Sequence, residues 1–102
     1  VIRLPPVIGH RGVAGLAPEN TLASFRRAAA LGLTMVEFDV RLSLDGQPIV
    51  FHDDGLDRTT NGQGAVAEWP LARLRQLDAG GWFGAEFGGE PIATLDEVLL
   101  LC

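Results

Sequence analysis

Val7, Ile8 and Gly9 form a short apolar run directly ahead of His10 and Arg11, which predicts a buried strand whose end delivers these two polar side chains to a loop. Pro18-Glu19-Asn20-Thr21 then marks a helix start, with Asn20 or Thr21 as N-cap and Glu19 near the positive end of the helix dipole. Leu22, Phe25, Ala29 and Leu33 recur near helical spacing, so the helix is expected to run to about Leu31, with Gly32 as its left-handed stop. From Met35 to Leu42 the pattern changes to alternation: Val36, Phe38 and Val40 on one face of a strand, Glu37, Asp39 and Arg41 on the other. Asp45-Gly46 lies between two extended runs and predicts a hairpin, with Ile49-Val50-Phe51 as the returning strand. The dozen or so residues from Asp39 to His52 hold no helical pattern to make a parallel crossover, so the return is antiparallel and sets His52 opposite Asp39.

From Asp53 to about Glu90 the chain is rich in Gly, Asp and Asn and reads as an insertion rather than core. It carries one short helical stretch, Pro70 to Leu77, with Trp69, Trp82 and Phe83 expected to pin it down. Thr94 and Glu97 form a capping box that opens a last helix with Leu95, Val98 and Leu99 on its apolar face.

Composition narrows the class. The chain has 102 residues, 47% of them hydrophobic, which suits one globular domain part spanning 1–102 and argues against disorder. Thirteen acidic against eight basic residues give a charge of -5, and every basic residue is Arg. Such a chain lacks the footprint of a nucleic-acid binder or of an anionic-membrane binder, so neither partner is expected, nor is stable membrane insertion; oligomeric state is left open. Its single cysteine, Cys102, excludes an intrachain disulfide and suits a reducing, cytoplasmic setting. Pro5-Pro6 interrupts any signal-peptide apolar region. The start at Val1 and the stop within Leu-Leu-Leu-Cys lead us to expect a part of a longer polypeptide.

The polar face of the second strand is the anomaly. Glu37 and Asp39, two apart, project to one side roughly 7 Å apart at the backbone, close enough to converge on one ion. A solvated face with Arg41 as ion-pair partner is the competing reading. Oxygen ligands without cysteine point to Mg²⁺ or Ca²⁺. His10 and His52, the two histidines of the chain, stand at strand ends and suit proton transfer near neutral pH. Arg11 offers a planar fork of donors matched to phosphate, and Gly9, Gly12 and Gly15 are candidates for a backbone anion nest. Together these residues describe a metal-assisted hydrolase for an anionic, phosphorylated substrate.

Ile8-Gly9-His10-Arg11-Gly12, Ala17-Pro18-Glu19-Asn20-Thr21, Val36-Glu37-Phe38-Asp39-Val40 and Val50-Phe51-His52-Asp53 occur in order. With Leu56 to Gly62 and Pro91 to Leu99, they resemble the glycerophosphodiester phosphodiesterase family, its bacterial cytoplasmic members in particular. The resemblance implies an α/β fold, a (β/α)8 TIM barrel of which this chain holds the N-terminal βα units, the hairpin and an insertion at about 53–90. It also implies hydrolysis of small-molecule glycerophosphodiesters to an alcohol and glycerol 3-phosphate, with a divalent cation, Mg²⁺ or Ca²⁺. Carried onto this sequence, Glu37 and Asp39 match metal ligands, His10 and His52 the acid and base, and Arg11 a phosphate contact. Glu19 and Asn20 match a Pro-Glu-Asn-Thr motif for which a helix-start role is at least as reasonable as catalysis. The family's third acidic ligand and a phosphate-facing Lys belong to a later strand. The alternatives are a non-catalytic interaction or regulatory fragment of a degenerate barrel, and a related lysophospholipid phosphodiesterase.

Overall fold

The computed structural model describes residues 8–102, so Val7 of the first predicted strand and Pro5-Pro6 lie outside the described residues. The elements are β1 (Gly9–His10), α1 (Leu22–Ala30), β2 (Val36–Glu37), β3 (Val40–Leu42), β4 (Pro48–Val50), α2 (Leu71–Leu74) and α3 (Leu95–Leu101), with short 3-10 turns at Val66–Glu68 and Ala85–Phe87. β1 and β2 pair in parallel across α1, Gly9 beside Val36 and His10 beside Glu37. This βα unit explains why two histidine-bearing and carboxylate-bearing strand ends meet.

Thr21, and not Asn20, caps α1: its Oγ1 accepts from Ser24 N at 3.2 Å and donates to the Pro18 carbonyl at 2.7 Å. Asn20 instead adopts a left-handed φ of 59°, which a short polar side chain tolerates. Leu31 closes the helix and Gly32 takes the left-handed stop at φ 79°. The buried face of α1 is Ser24, Phe25 and Ala28. Ala29 is exposed on the flank of the face that Ser24, Phe25 and Ala28 bury, and Leu33 lies past the helix end.

The predicted strand Met35–Leu42 is broken. β2 follows β1, β3 follows β4, and the chain bends at Phe38-Asp39 between the two partners. Phe38 turns inward to meet Phe25 edge-on, ring centroids 5.9 Å apart. Val40 therefore leaves the apolar face and is exposed. The hairpin is antiparallel as expected, with Val40, Arg41 and Leu42 opposite Val50, Ile49 and Pro48. Its apex is Asp45 rather than the Asp45-Gly46 bond, since Ser43 N bonds the Gln47 carbonyl across a three-residue loop whose last member, Gly46, has φ 75°. The half-residue difference brings Phe51 opposite Asp39, with Phe51 N donating to the Asp39 carbonyl at 2.9 Å, and leaves His52 one residue beyond the expected position.

The segment after the hairpin is not an appendage. Leu56, Val66, Leu74 and Ala79 bury themselves against Ile49 and Phe51 of the hairpin and against Ile92, with Trp69, Leu71 and Leu77 packed around them. The predicted Pro70–Leu77 helix shortens to the single turn α2. Trp69 does help to hold this core, whereas Trp82 is exposed and continues into an edge-to-face row with Phe83 and Phe87. A second cluster joins Phe25, Val50, Ala93 and Val98, flanked by Leu22, Val36, Phe38 and Leu95. The capping box forms: Glu97 N donates to Thr94 Oγ1 at 3.2 Å and Thr94 N to Glu97 Oε1 at 2.9 Å. Val98 and Leu95 face the cluster, but Leu99 is exposed. Glu90 reaches back to the start of α1, its Oε1 accepting from Ala23 N at 3.0 Å. Among the described residues no helix is long and apolar enough to cross a membrane.

Candidate active site

After β1 the backbone turns through two left-handed residues, Arg11 (φ 52°) and Gly12 (φ 82°). A Cβ on Gly12 would stand 2.3 Å from Ser24 Oγ, so only glycine lets the loop lie this close to α1. Buried Ser24 clasps that loop, its hydroxyl accepting from Val13 N at 2.7 Å and donating to the Arg11 carbonyl at 3.1 Å. These contacts take part of the loop's backbone away from the expected anion nest, and Gly9 N itself donates to the Met35 carbonyl at 2.9 Å. The N–H groups of Val13 and Ala14 are spent on Ser24 and on the His10 carbonyl, Gly9 and Gly12 serve close packing, and Gly15 faces open space.

The parallel register sets His10 Nε2 3.4 Å from Glu37 Oε2, with both side chains about half exposed. Asp39 Oδ2 accepts from Asn20 Nδ2 at 3.1 Å and has Arg11 Nε 3.4 Å away. Arg11 Nη1 donates to Glu19 Oε2 at 3.0 Å. Glu19, almost fully buried, also accepts two bonds from Arg58, at 2.9 and 2.8 Å. Glu19 is thus the buried acid between two arginines and not simply a dipole partner of the helix. Arg58 in turn donates through Nε and Nη2 to Asp53, at 2.8 and 3.0 Å, and Asp53 Oδ1 lies 2.6 Å from His52 Nδ1. Hydrogen bonds from Arg58 and His52 outweigh burial and hold the Asp53 carboxyl well below the usual carboxylate range. Asp53 and Glu19 hold Arg58 firmly charged.

The four predicted chemical residues are therefore brought together in two pairs of unequal closeness. His10 lies 3.4 Å from Glu37, while the side chains of His52 and Asp39 are joined by a chain of contacts through Asp53, Arg58, Glu19 and Arg11. Arg41 is not the partner of the carboxylate row. It leans to the other side of the hairpin, donating to the His52 carbonyl at 2.9 and 2.7 Å and pairing with Asp54. Arg41 therefore does not supply the row's ion pair, although Glu37 and Asp39 are both partly open to solvent.

Glu37 and Asp39 offer hard oxygen donors, and Glu37 Oε1 and Asp39 Oδ1 take no hydrogen bond from the described residues. Beside them, Asn20 Oδ1 is buried without a partner. This chemistry fits Mg²⁺ or Ca²⁺ as one half of a site. Among the described residues no group of three or more His, Cys, Asp or Glu is gathered around one point, so these carboxylates alone do not make a complete site.

Residues 10–101 match the glycerophosphoryl diester phosphodiesterase family. The chain belongs to that family. It is 50% identical over 95 residues to a glycerophosphodiester phosphodiesterase of Caldanaerobacter subterraneus, covering 93% of this chain and 39% of that protein. It superposes with TM-score 0.94, at 55% identity, on an Oleispira antarctica phosphodiesterase solved with its product sn-glycerol-3-phosphate, covering 96% of this chain and 40% of that one. A glycerophosphodiester phosphodiesterase from Thermotoga maritima gives TM-score 0.77 at 31% identity, over 99% of this chain and 41% of that chain. The chain thus spans about 40% of the length of these relatives. Its fold is part of the family's TIM barrel, with the hairpin and the packed insertion built on the βα start.

Sequence reasoning did not foresee Ser24, Asp53 or Arg58 in the site. The adjacency of His52 and Asp53 was visible, but a serine on the inner face of a helix and an arginine within a loop give no periodic signal of where they point.

Proposed function

We propose that this chain, completed by the barrel strands that the length of its relatives implies, hydrolyses glycerophosphodiesters to an alcohol and sn-glycerol 3-phosphate. The observation that carries the reading is the superposition at 55% identity on a phosphodiesterase holding sn-glycerol-3-phosphate, with His10, Arg11, Glu37 and Asp39 gathered at the ends of β1 and β2. In this reading Glu37 and Asp39 would hold a divalent cation, Mg²⁺ or Ca²⁺, which when bound would supply Lewis-acid polarisation of a phosphoryl oxygen. Arg11, fixed by Glu19 and Asp39, presents positive charge to the phosphodiester. One histidine takes the proton from the attacking O–H group as the new P–O bond forms, and water supplies the oxygen that remains on the phosphate of the product. The other gives a proton to the alkoxide as the old P–O bond breaks, so the alcohol leaves neutral. The exposed imidazole of His10 and the half-exposed one of His52 are both reachable by substrate. The enzyme acts on a small molecule in the cytoplasm.

The test is release of glycerol 3-phosphate from glycerophosphocholine and glycerophosphoethanolamine by the full-length protein, meaning these residues with the remaining barrel. Release that stops on chelation and returns with Mg²⁺ or Ca²⁺ is expected. No release from either substrate in the presence of both ions would overturn the proposal.

A further inference from the structure

Arg58 bridges two carboxylates that lie far apart in sequence. Its Nη1 and Nη2 grip both oxygens of Glu19 in the loop before α1, while Nε and Nη2 grip both oxygens of Asp53 after the hairpin. A guanidinium used on two edges in this way is fixed in plane, because rotation about any of its side-chain bonds breaks several charge-assisted hydrogen bonds together. Glu19 is held in turn by Arg11 and is almost fully buried, so the anchor does not drift. The fixed carboxylate of Asp53 then meets His52 Nδ1 at 2.6 Å. An ionised carboxylate only accepts, so that nitrogen must carry the proton in the neutral ring, which leaves Nε2 as the bare nitrogen. The His52 carbonyl is clamped separately by two donors of Arg41, which fixes the backbone from which the ring hangs.

We propose that Glu19 and Arg58 are positioning residues for His52: together they hold Asp53 so that the imidazole keeps its Nδ1–H tautomer and presents Nε2 to the substrate. This rests on the reading of His52 as a proton-transfer group given above. It goes further in assigning the nitrogen that exchanges the proton and a role to two residues that touch no reacting atom. It also recasts the packed segment after the hairpin, which supplies Arg58, as part of the catalytic support. A simple staple between that segment and the first loop would use the same ion pairs, and the experiment separates the two.

The experiment is ¹⁵N NMR of imidazole-labelled full-length protein, with steady-state kinetics on glycerophosphocholine, for wild type, Arg58→Ala, Arg58→Lys, Glu19→Gln and Glu90→Ala. Wild type is expected to show His52 as a single Nδ1–H tautomer. Arg58→Ala is expected to show a mixture, with kcat reduced about tenfold or more and KM within twofold of wild type; Glu19→Gln is expected to show the same mixture and loss of kcat, with KM raised as well because Glu19 also holds Arg11. Arg58→Lys is expected to fail to restore the signature, since one ammonium cannot reproduce the two-edged grip. Glu90→Ala removes the acceptor that ties the same segment to α1 without touching the relay, and is expected to lower the melting temperature and leave the His52 signature unchanged. A wild-type Nε2–H tautomer, or an unaltered signature in folded Arg58→Ala, would overturn the relay. Absence of diesterase activity in wild type would overturn the functional reading alone, because the spectrum reports on the relay without turnover.

Discussion

Replacing Ser24 by Ala removes one hydroxyl from a fully buried position and leaves the helix propensity of α1 intact or improved. That hydroxyl joins α1 to the loop that carries Arg11, through Val13 N at 2.7 Å and the Arg11 carbonyl at 3.1 Å. The Arg11 carbonyl keeps a second partner, Asn20 N at 2.9 Å, so its loss is partial. Val13 N has no other hydrogen bond among the described residues and becomes a part-buried donor without a protein acceptor, which costs up to about 1–3 kcal/mol. The cavity left by one oxygen is small, so the expected destabilisation is about 2 kcal/mol, dominated by that single N–H. In a barrel of ~250 residues this lowers Tm by about 4–8 °C, readable by scanning calorimetry on full-length protein. Because the loop also positions Arg11, KM for the phosphodiester should rise while Tm falls. A Tm change of less than about 1 °C, corresponding to under ~0.5 kcal/mol, would refute the view that Ser24 is the clasp of the loop.

Leu56→Ala should destabilise by about 2–5 kcal/mol, measured by urea denaturation, because Leu56 is fully buried in the cluster of hairpin and insertion; a change near zero would return the segment to the status of an appendage. Asp53 holds its proton less tightly in the folded protein than in the unfolded chain, so its contribution to stability is fully present above the unfolded value of 3.8 and is lost as pH falls through the lower folded value. The Tm gap between wild type and Asp53→Asn should therefore be widest near neutrality and narrow below pH 4, and a gap that widens in acid would contradict it.

How much of this was legible in the sequence depended on whether the controlling interaction was local. Thr94 and Glu97 lie three residues apart, and their capping box was readable because both halves of it are within one helical turn. The antiparallel hairpin was readable from Asp45-Gly46, but its register was not, since a three-residue loop and a two-residue turn share that dipeptide. The strand Met35–Leu42 looked continuous because alternation records which side chains are apolar and not that β1 and β4 draw its two halves apart. The insertion looked like loop because its buried residues, Leu56, Val66, Leu74 and Ala79, are spaced too irregularly to show a period. In the site, His10, Arg11, Glu37 and Asp39 stood out as polar residues at the ends of apolar strands. The partners of Glu19 did not, because Arg58 reaches it across 39 residues of chain.

The central claim is that His10 and His52 are the acid and base of a phosphodiester hydrolase. The most direct measurement is kcat for glycerophosphocholine in full-length His10→Ala and His52→Ala, beside melting curves of both. General acid and base groups contribute about 10²–10⁴-fold each, so each variant is expected to lose at least ~100-fold in kcat with its Tm little changed. Turnover near the wild-type rate in either folded variant would contradict the account.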